Sequence, residues 1–486
     1  MKSIHELEPV AVFKYFKELC DIPHGSGNTK AISDYCVEFA KRLNLEYVQD
    51  ELGNVIISKP ATPGRENDEG VIIQGHLDMV AVKDADSEHD FDKDALCLEI
   101  DGDMLYAKGT SLGGDDGIAV AYALAILESD TISHPALEAI FTVDEEIGLI
   151  GATALDMSSV KGKYLLNIDS EEEGVILVSC AGGLSGEIKL PVRRVDKNGI
   201  CFKINIDGLQ GGHSGTEIGK ERCNAIMLMG RLLFDLHQKM EVSLVSFKGG
   251  EKDNAIAKDC EAVICIDAED VPMLSEEMDA LGALYANEYL TSDNGLKLAL
   301  QRLEDDVVSM PCLDSISFEK LVFMLRQMPY GVMHNSMDIE GLVETSMNVG
   351  IASMLEDAYE FELTVSLRSS VNSRKAELND KVRYLVEFLG GDYTVHGEYP
   401  SWPYRHESVL RPKMVEVYKE LFDKEPEVQA IHAGLECGIL LEKCPRLDAV
   451  SFGPDILDIH TTKERLSISS VERNWKYLVE LLNKIK

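Results

Sequence analysis

Residues 71–78, with the sequence VIIQGHLD, place a histidine and an aspartate directly after a run of apolar residues. A short, continuous apolar run is typical of a strand that is buried on both faces, as in the parallel sheets of α/β proteins. In an extended chain, residues i and i+2 point to the same side, so His76 and Asp78 are expected to lie together. His76 could therefore bind a metal ion, with Asp78 fixing its tautomer.

Three other apolar segments lead into acidic residues or a histidine in the same way. They are EAIFTV (138–143), YLLNI (164–168) and LDAVSFG (447–453). Amphipathic helical patterns alternate with these segments, which predicts an α/β fold with a mainly parallel sheet. The last helical pattern, 467–485, carries Ser469 and Glu472 at the spacing of a capping box, which predicts a helix start at Ser469.

The pattern changes after AGGLSG (181–186), where two successive sections each combine alternating strands with helices. This change predicts an inserted α+β lid domain made of two similar units, within the ordinary size range of a domain. The expected division is a first part of the catalytic domain at 1–185, the lid domain at 186–391, and a second part of the catalytic domain at 392–486.

The overall composition narrows the class of protein. A formal net charge of −38 over 486 residues excludes partners that require a basic surface, so neither nucleic acid nor an anionic membrane is expected to bind. The apolar runs are shorter than a membrane span, and the first residues lack the pattern of a secretory signal. The 11 cysteines form an odd set without paired spacing, which argues against a complete disulfide framework. We therefore predict a cytoplasmic protein.

The acidic residues that follow the predicted strands suggest a site for two cations. The glycines around Asp115, in KGTSLGGDDGIA (108–119), do not have the spacing of a phosphate-binding loop, and carboxylates there oppose an anion. One assignment of ligands gives His76 and Asp169 to one ion, gives Glu146 and His460 to the other, and places Asp115 between them. Nitrogen and oxygen ligands in this number suit zinc, and Glu145 would remain as a general base.

Six motifs resemble one known family, the co-catalytic zinc peptidases that include aminoacylases, carboxypeptidases and di- and tripeptidases. The motifs are GHLDMV, KGTSLGGDDGIA, TVDEEIGLIGA, NIDSEEEG, GGHSG and HAGLECG, and together they are most similar to its aminoacyl-histidine dipeptidase branch. The resemblance implies metal ligands at His76, Asp115, Glu146, Asp169 and His460, with catalytic roles for Asp78, Glu145 and His213. It further implies that Arg368 and Glu436 bind the substrate, and that the peptide bond between Asp115 and Asp116 is cis.

The predicted function is hydrolysis of aminoacyl-histidine dipeptides, and of a broader set of dipeptides, by a hydroxide held between two metal ions. Zinc is the expected ion, with manganese or cobalt as alternatives. The expected binding partner is a short peptide substrate, and the protein is expected to be a monomer or a homodimer. Two alternatives stay open. One is an amidohydrolase that acts on N-acyl amino acids, and the other is a protein that binds metal or peptide without catalysis. The presence of Glu145 beside the ligands favours catalysis.

Overall fold

The computed structural model describes residues 4–486 and divides into two compact units. Unit 1 contains the described residues up to Cys180, together with Trp402–Ala430 and Leu435–Lys486. Unit 2 contains Ala181–Ser401 and the short segment Ile431–Gly434. Unit 2 is thus inserted into the sequence of unit 1.

The first part of unit 1 alternates helices with short strands. Its helices are α1 (Val10–Cys20), α2 (Lys30–Arg42), α3 (Gly114–Glu128) and α4 (Ile150–Ala154). Its strands are β1 (Glu46–Gln49), β2 (Val55–Lys59), β3 (Val71–His76), β4 (Leu98–Asp101), β5 (Met104–Ala107), β6 (Leu137–Thr142), β7 (Tyr164–Asn167) and β8 (Val175–Cys180).

Unit 2 has longer strands and longer helices. Its strands are β9 (Gly182–Pro191), β10 (Arg194–Asp207), β11 (Ser243–Gly249), β12 (Cys260–Ile266), β13 (Lys297–Arg302), β14 (Val308–Leu313), β15 (Gly331–Asn335), β16 (Val343–Met354), β17 (Glu360–Ser369) and β18 (Asp392–Tyr399). Its helices are α5 (Ala225–His237), α6 (Val271–Glu288), α7 (Ser315–Gln327) and α8 (Asn372–Leu389).

The last part of the chain returns mainly to unit 1. It contains α9 (Leu410–Phe422), β19 (Glu427–Ile431), α10 (Glu436–Lys443), β20 (Asp448–Ser451), β21 (Ile456–Leu457), β22 (Arg465–Ser467) and α11 (Ile468–Lys484).

The main sheet of unit 1 has eight strands in the order β1-β2-β6-β3-β7-β20-β8-β19. Its four central strands, β6, β3, β7 and β20, are parallel, whereas β1, β2 and β8 pair in the antiparallel direction. The predicted α/β class is confirmed, and the parallel arrangement describes the centre of the sheet. Every residue of β3, β6 and β7 is buried, as their continuous apolar sequences predict.

Helix α3 packs closely against β3 because small residues face each other. Nearly every residue of the helix is buried, which is typical of a helix that is apolar on all sides. A Cβ atom on Gly75 would lie 2.6 Å from the Cβ of Ala119, so glycine is required at this point of β3. The close approach places the start of α3 beside the end of β3.

Unit 2 is built on a single ten-stranded sheet. Its path is β13-β10-β12-β11-β16-β17-β9-β18, with β14 on β10 and β15 on β16. The two sections expected from the sequence meet where β11 pairs with β16. One hydrophobic core includes buried residues from both sections, such as Phe247 of β11 and Phe361 of β17. The two sections therefore share one sheet and one core.

The boundaries of unit 2 lie at 180/181 and 401/402, outside the positions 185/186 and 391/392 expected from the sequence. The reason is long-range strand pairing. Strand β18 pairs with β9, so residues 392–399 belong to the sheet of unit 2 although they follow its last helix.

The start of α11 differs from the prediction. The helix begins at Ile468, and its N-cap is Ser467, whose side chain accepts a hydrogen bond from the amide of Ser470. The capping box predicted at Ser469 is wrong, because Ser469 already lies in the first turn of the helix, where its backbone amide and its hydroxyl both donate to Asp103. Within residues 4–486, no helix combines the length and the apolar character needed to cross a membrane.

The shared core of unit 2 predicts a large effect of Phe247→Ala. Phe247 is fully buried and contacts Phe361 edge to face, with ring centroids 5.5 Å apart. Removing it should lower the free energy of unfolding of unit 2 by about 3–5 kcal/mol. The matched control is Phe388→Ala, because the Phe388 side chain is 76% exposed and should contribute less than about 0.5 kcal/mol.

Urea denaturation followed by circular dichroism would measure this difference. Both tryptophans, Trp402 and Trp475, belong to unit 1, so their fluorescence reports on unit 1 in the same experiment. Equal stabilities of the two phenylalanine variants would contradict a single shared core.

Candidate active site

The five ligands predicted from the sequence all lie in unit 1. His76 ends β3, and Glu146 and Asp169 follow the ends of β6 and β7. Because these strands are parallel neighbours, their carboxyl ends meet at one edge of the sheet, where open α/β sheets place their sites. Asp115 lies at the start of α3, and His460 lies in the turn between β21 and β22.

Asp115 lies between the two histidines. Its Oδ1 atom is 3.2 Å from His76 Nε2, and its Oδ2 atom is 3.2 Å from His460 Nε2. His460 Nε2 is also 3.0 Å from Glu146 Oε1, and His76 Nε2 is 3.8 Å from Asp169 Oδ1. Each histidine thus has its own carboxylate and one oxygen of Asp115, which is the pairing expected from the sequence. The peptide bond between Asp115 and Asp116 is cis, as predicted.

Three overlapping groups of side chains have the spacing of metal ligands, with their ligand atoms within 4.8 Å of one another. The groups are His76 with Asp116 and Asp169, His76 with Glu145 and Glu146, and Asp115 with Glu146 and His460. Asp116 was not singled out in the sequence. Its Oδ2 atom accepts a hydrogen bond of 3.2 Å from the backbone amide of His76, which places Asp116 behind the histidine.

Asp78 links the residues at the ends of two strands. Its carboxylate lies 3.5 Å from His76 Nδ1, and the Asp78 carbonyl oxygen lies 3.0 Å from the same nitrogen. The proton of the neutral His76 ring therefore lies on Nδ1, where Asp78 accepts it, and Nε2 is left without a proton and faces Asp115. The carboxylate also accepts the backbone amides of Glu145, at 2.9 Å, and Glu146, at 3.3 Å.

The protein environment opposes the ionisation of several of these carboxyl groups. Burial, reinforced by the charges of Glu436, Glu146 and Asp115, raises the pKa of Glu145 to about 8. Burial also raises the pKa of Asp169 well above its usual value, with a contribution from Asp116. The pKa of Asp115 is lowered, because hydrogen bonds with His460 and His76 outweigh the effect of its burial.

This donor set fits divalent cations. Its atoms are imidazole nitrogens and carboxylate oxygens, the ligands of zinc and related ions. Several carboxylates are buried close together; burial has the largest influence on their pKa values, followed by neighbouring histidines and carboxylates. Bound dications would offset both the repulsion and the cost of burying these charges.

Glu436, predicted to bind substrate, is completely buried at the start of α10. Its Oε2 atom accepts hydrogen bonds from Gln74 Nε2 at 2.5 Å and from the Thr142 hydroxyl at 2.7 Å. Among residues 4–486, its Oε1 atom has no hydrogen-bond partner. Glu436 therefore lies behind the ends of β3 and β6, and its charge adds to the cluster around Glu145.

The other two predicted site residues, His213 and Arg368, lie in unit 2. Arg368 is mostly buried in β17, and its Nη1 atom donates to the Tyr399 hydroxyl at 3.1 Å. Its Nε atom has no hydrogen-bond partner in the described part of the chain. His213 Nδ1 accepts the amides of Gly215 and Thr216, each at 3.3 Å, so the proton of the neutral ring resides on Nε2. Burial, followed by the charge of Arg368, lowers the pKa of His213.

His432 belongs to the same part of unit 2 and was not assigned a role from the sequence. Its Nε2 atom lies 2.7 Å from the hydroxyl of Ser346, which is directly opposite Arg368 across β16 and β17. Burial and the charge of Arg368 lower the pKa of His432 to about 3. The Nδ1 atom of His432 finds no hydrogen-bond partner within the residues described. Its place in the HAGLECG motif (432–438) is the only sequence signal that could have identified it.

Comparison with known proteins defines the class. The sequence profile of the Peptidase family M20/M25/M40 matches residues 72–484. The chain belongs to this peptidase family, as the resemblance in the motifs predicted.

Relatives within this class give the comparison more detail. The chain is 36% identical to the cytosol non-specific dipeptidase of Escherichia coli (strain K12), over 100% of its own length and 99% of that protein. The crystal structure of the aminoacylhistidine dipeptidase from Vibrio alginolyticus superposes with a TM-score of 0.93 at 34% identity, over 100% of this chain and 98% of that one. The aminopeptidase PepT from Bacillus cereus, at 15% identity and a TM-score of 0.58, shares the fold over 99% of both chains.

The arrangement around Asp115 predicts the metal content of histidine variants. Wild-type protein loaded with zinc should contain two ions per chain, and His460→Ala or His76→Ala should each lose about one, because each removes one histidine ligand. Elemental analysis after removal of free metal would measure the content. His396→Ala is the control, because His396 lies on β18 of unit 2, outside the ligand groups. Two retained ions in both site variants would show that the ligands are assigned wrongly.

Proposed function

We propose that this chain is a metal-dependent dipeptidase. The observation that carries the proposal is the Asp115 carboxylate, whose two oxygens each face a different histidine at 3.2 Å. A carboxylate in this position suits a bridge between two cations, and a single cation would need only one of the two histidines. Membership of the peptidase family supports hydrolysis of a peptide bond as the reaction.

The residues that would hold the ions are His76, Asp169, Glu146 and His460, with Asp115 shared. We propose zinc as the ion, with manganese and cobalt as alternatives that the same ligands accept. When bound, two such ions lower the pKa of a water molecule and polarise the carbonyl of the substrate. Asp78 holds the His76 ring through Nδ1, so that Nε2 would be the nitrogen available to an ion.

Glu145 is the proposed general base. Glu145 directly precedes Glu146, a proposed ligand. The backbone amides of both residues donate to the Asp78 carboxylate, which fixes the backbone of Glu145 beside the proposed ligands. Its carboxylate would take a proton from the attacking water and pass it to the nitrogen of the leaving amine. These two transfers conserve the proton, so Glu145 is ready for the next turnover.

The substrate proposed is a dipeptide, of the aminoacyl-histidine type and more broadly. The names of the two most similar relatives described above, a non-specific dipeptidase and an aminoacylhistidine dipeptidase, support this substrate class. Arg368 is proposed to bind the C-terminal carboxylate, because its Nε atom lacks a partner among the residues that the structure describes and a guanidinium can bind a carboxylate through two hydrogen bonds. His213, with its Nε2 proton, is proposed to donate to the carbonyl oxygen of the scissile bond.

The proposal extends to Glu436, to the location of the protein and to the role of unit 2. The substrate-binding role of Glu436 stays a prediction, since its side chain is fully buried in unit 1. A cytoplasmic location is proposed from the composition and from the word cytosol in the name of one relative. The lid role of unit 2 also stays a prediction.

A substrate panel would test the proposed function. Metal-loaded protein is incubated with aminoacyl-histidine dipeptides, other dipeptides, tripeptides and N-acyl amino acids, and the released amino acids are quantified. Hydrolysis of dipeptides that stops after removal of the metal is expected. Release from the N-acyl amino acids alone would favour the amidohydrolase alternative, and no release from any substrate by a protein that holds two ions would favour a binding protein.

Glu145→Gln and Glu146→Gln should have different effects on the metal. Glu145→Gln should keep both ions and lower kcat by about 10²–10⁴-fold, because it removes the base and leaves the ligands intact. Glu146→Gln should lower activity and also weaken one metal site, because it removes a ligand charge. Activity assays and elemental analysis on the same samples would separate the two. Near-normal turnover of Glu145→Gln would rule out its role, and loss of metal from it would show that base and ligand are exchanged.

Arg368→Lys should mainly affect substrate binding. Lysine keeps the positive charge but lacks the planar pair of donors, so KM for dipeptides should rise about tenfold, equivalent to about 1.4 kcal/mol. Steady-state kinetics would measure the change. Arg383→Lys is the control: Arg383 is half-buried on α8, its guanidinium lies 5.3 Å from the centre of the Tyr393 ring, and the change should leave KM unchanged. An unchanged KM in both variants would remove Arg368 from the substrate site.

A further inference from the structure

Glu464 is a buried carboxylate that binds four successive backbone amides. Its Oε2 atom accepts hydrogen bonds from Leu112 at 2.8 Å and Gly113 at 3.1 Å. Its Oε1 atom accepts hydrogen bonds from Gly114 at 2.8 Å and Asp115 at 3.4 Å. The side chain is only 3% exposed, so these bonds are made away from bulk solvent, where hydrogen bonds to a charged group are strong.

The four amides belong to the turn that presents Asp115. Gly113 has a left-handed conformation, with φ of +69°, and Asp115 departs from helical geometry at the start of α3, with ψ of 102°. A Cβ atom on Gly114 would lie 3.3 Å from Glu464 Oε1, so glycine at this position gives the carboxylate room to approach. The turn is irregular, and Glu464 is the acceptor that its amides share.

Glu464 itself lies on the hairpin that carries His460. Strands β21 and β22 pair in register, with Ile456 opposite Leu466, and residues 458–464 form the turn between them. The Thr461 hydroxyl donates to the Asp458 carbonyl at 2.7 Å, and Arg465 forms an ion pair with Asp458 at 2.8 Å. The hairpin is therefore a defined turn with His460 near its tip and Glu464 at its base.

We propose that Glu464 is a positioning residue of the metal site: it fixes the turn that bears Asp115 to the hairpin that bears His460, and so sets the separation of these two ligands. The inference rests on the proposed function. Asp115 and His460 are 345 residues apart in sequence, and Glu464 connects their two segments directly. Ligands held at the correct separation before the ion arrives bind it more tightly, because less conformational freedom is lost on binding.

A merely structural role is the alternative, and Glu138 offers a matched control for it. The Glu138 carboxylate, 9% exposed, also accepts backbone amides, from Lys161 at 3.0 Å and Gly162 at 2.7 Å. Glu138 lies at the start of β6, whereas Glu145 and Glu146 follow the other end of this strand. Glu138→Gln therefore removes a comparable contact in the same unit but away from the ligands.

The experiment measures the affinity of full-length, metal-depleted protein for zinc by competition with a chromophoric chelator, and the visible spectrum after loading with cobalt(II). In Glu464→Gln the amide nitrogen cannot accept a hydrogen bond, so two of the four backbone amides lose their acceptor. We expect one of the two ions to bind about 10–100-fold more weakly, with an altered cobalt spectrum. The kcat for a dipeptide should fall with little change in KM. Glu138→Gln should lower the thermal midpoint but leave both affinities and the spectrum unchanged.

A second measurement assigns the effect to the correct ligand. In a His460→Ala background, Glu464→Gln should weaken metal binding little further, because the two changes act on the same ion. If Glu464→Gln does not fold, Glu464→Asp decides: its side chain is one methylene shorter and cannot reach all four amides, so the same selective loss is expected.

The outcomes separate the two proposals. Wild-type protein that binds two ions, together with Glu464 variants that bind both with unchanged affinity, would overturn the positioning role alone. Equal weakening of both ions by Glu464→Gln and Glu138→Gln would also overturn it, since a general loss of stability would explain both. Wild-type protein that binds fewer than two ions would overturn the proposed function and this inference with it.

Discussion

The repulsion among buried carboxylates is the constraint on which the arrangement of unit 1 depends. Asp115, Asp116, Glu145 and Asp169 lie close together at one edge of a sheet, and burial raises the pKa of three of them, Asp116, Glu145 and Asp169. A fold gains nothing in stability from such a cluster when it is isolated, because each charge is both desolvated and opposed by its neighbours. The arrangement is the one expected of a site that binds positive charge. The stabilising interactions in the rest of unit 1 offset the free energy needed to bring these carboxylates together.

The surrounding fold supplies that support in two ways. Parallel strands bring the carboxyl ends of β3, β6 and β7 to the same edge without requiring any contact between the acidic side chains themselves. Backbone amides then fix the irregular segments that follow, through Asp78 for residues 145 and 146 and through Glu464 for residues 112–115. Acidic side chains thus serve as hydrogen-bond acceptors for the loops, in addition to the side chains that we propose as metal ligands, and this second use helps a strongly acidic chain to bury several of them.

The sequence predicted the features that depend on local pattern. The continuous apolar strands, the residues at their ends and the pairing of Asp115 with both histidines could be read from motifs. The features that depend on distant pairing could not. Strand β18 follows the last helix of unit 2, and nothing in its own sequence says that it pairs with β9. Glu464 is a single acid in a polar turn, and its partners are about 350 residues away. At the start of α11, serines stand at positions 467, 469 and 470, and the hydroxyls of Ser467 and Ser469 both donate to Asp103, a residue more than 300 positions earlier in the chain.

The short segment Ile431–Gly434 makes unit 2 discontinuous in sequence. These four residues belong to unit 2, whereas the residues on both sides belong to unit 1, so the chain passes between the units four times. The backbone amide of Ala181 hydrogen-bonds to the carbonyls of Ile431 and Ala433, and His432 contacts Ser346. Unit 2 is therefore not a cassette that can be excised or exchanged by cutting at 180/181 and 401/402. Any graft or circular permutation that kept its sheet but left out 431–434 would remove the partners of Ala181 and Ser346, and a transplanted unit would need this short piece supplied from elsewhere in the chain.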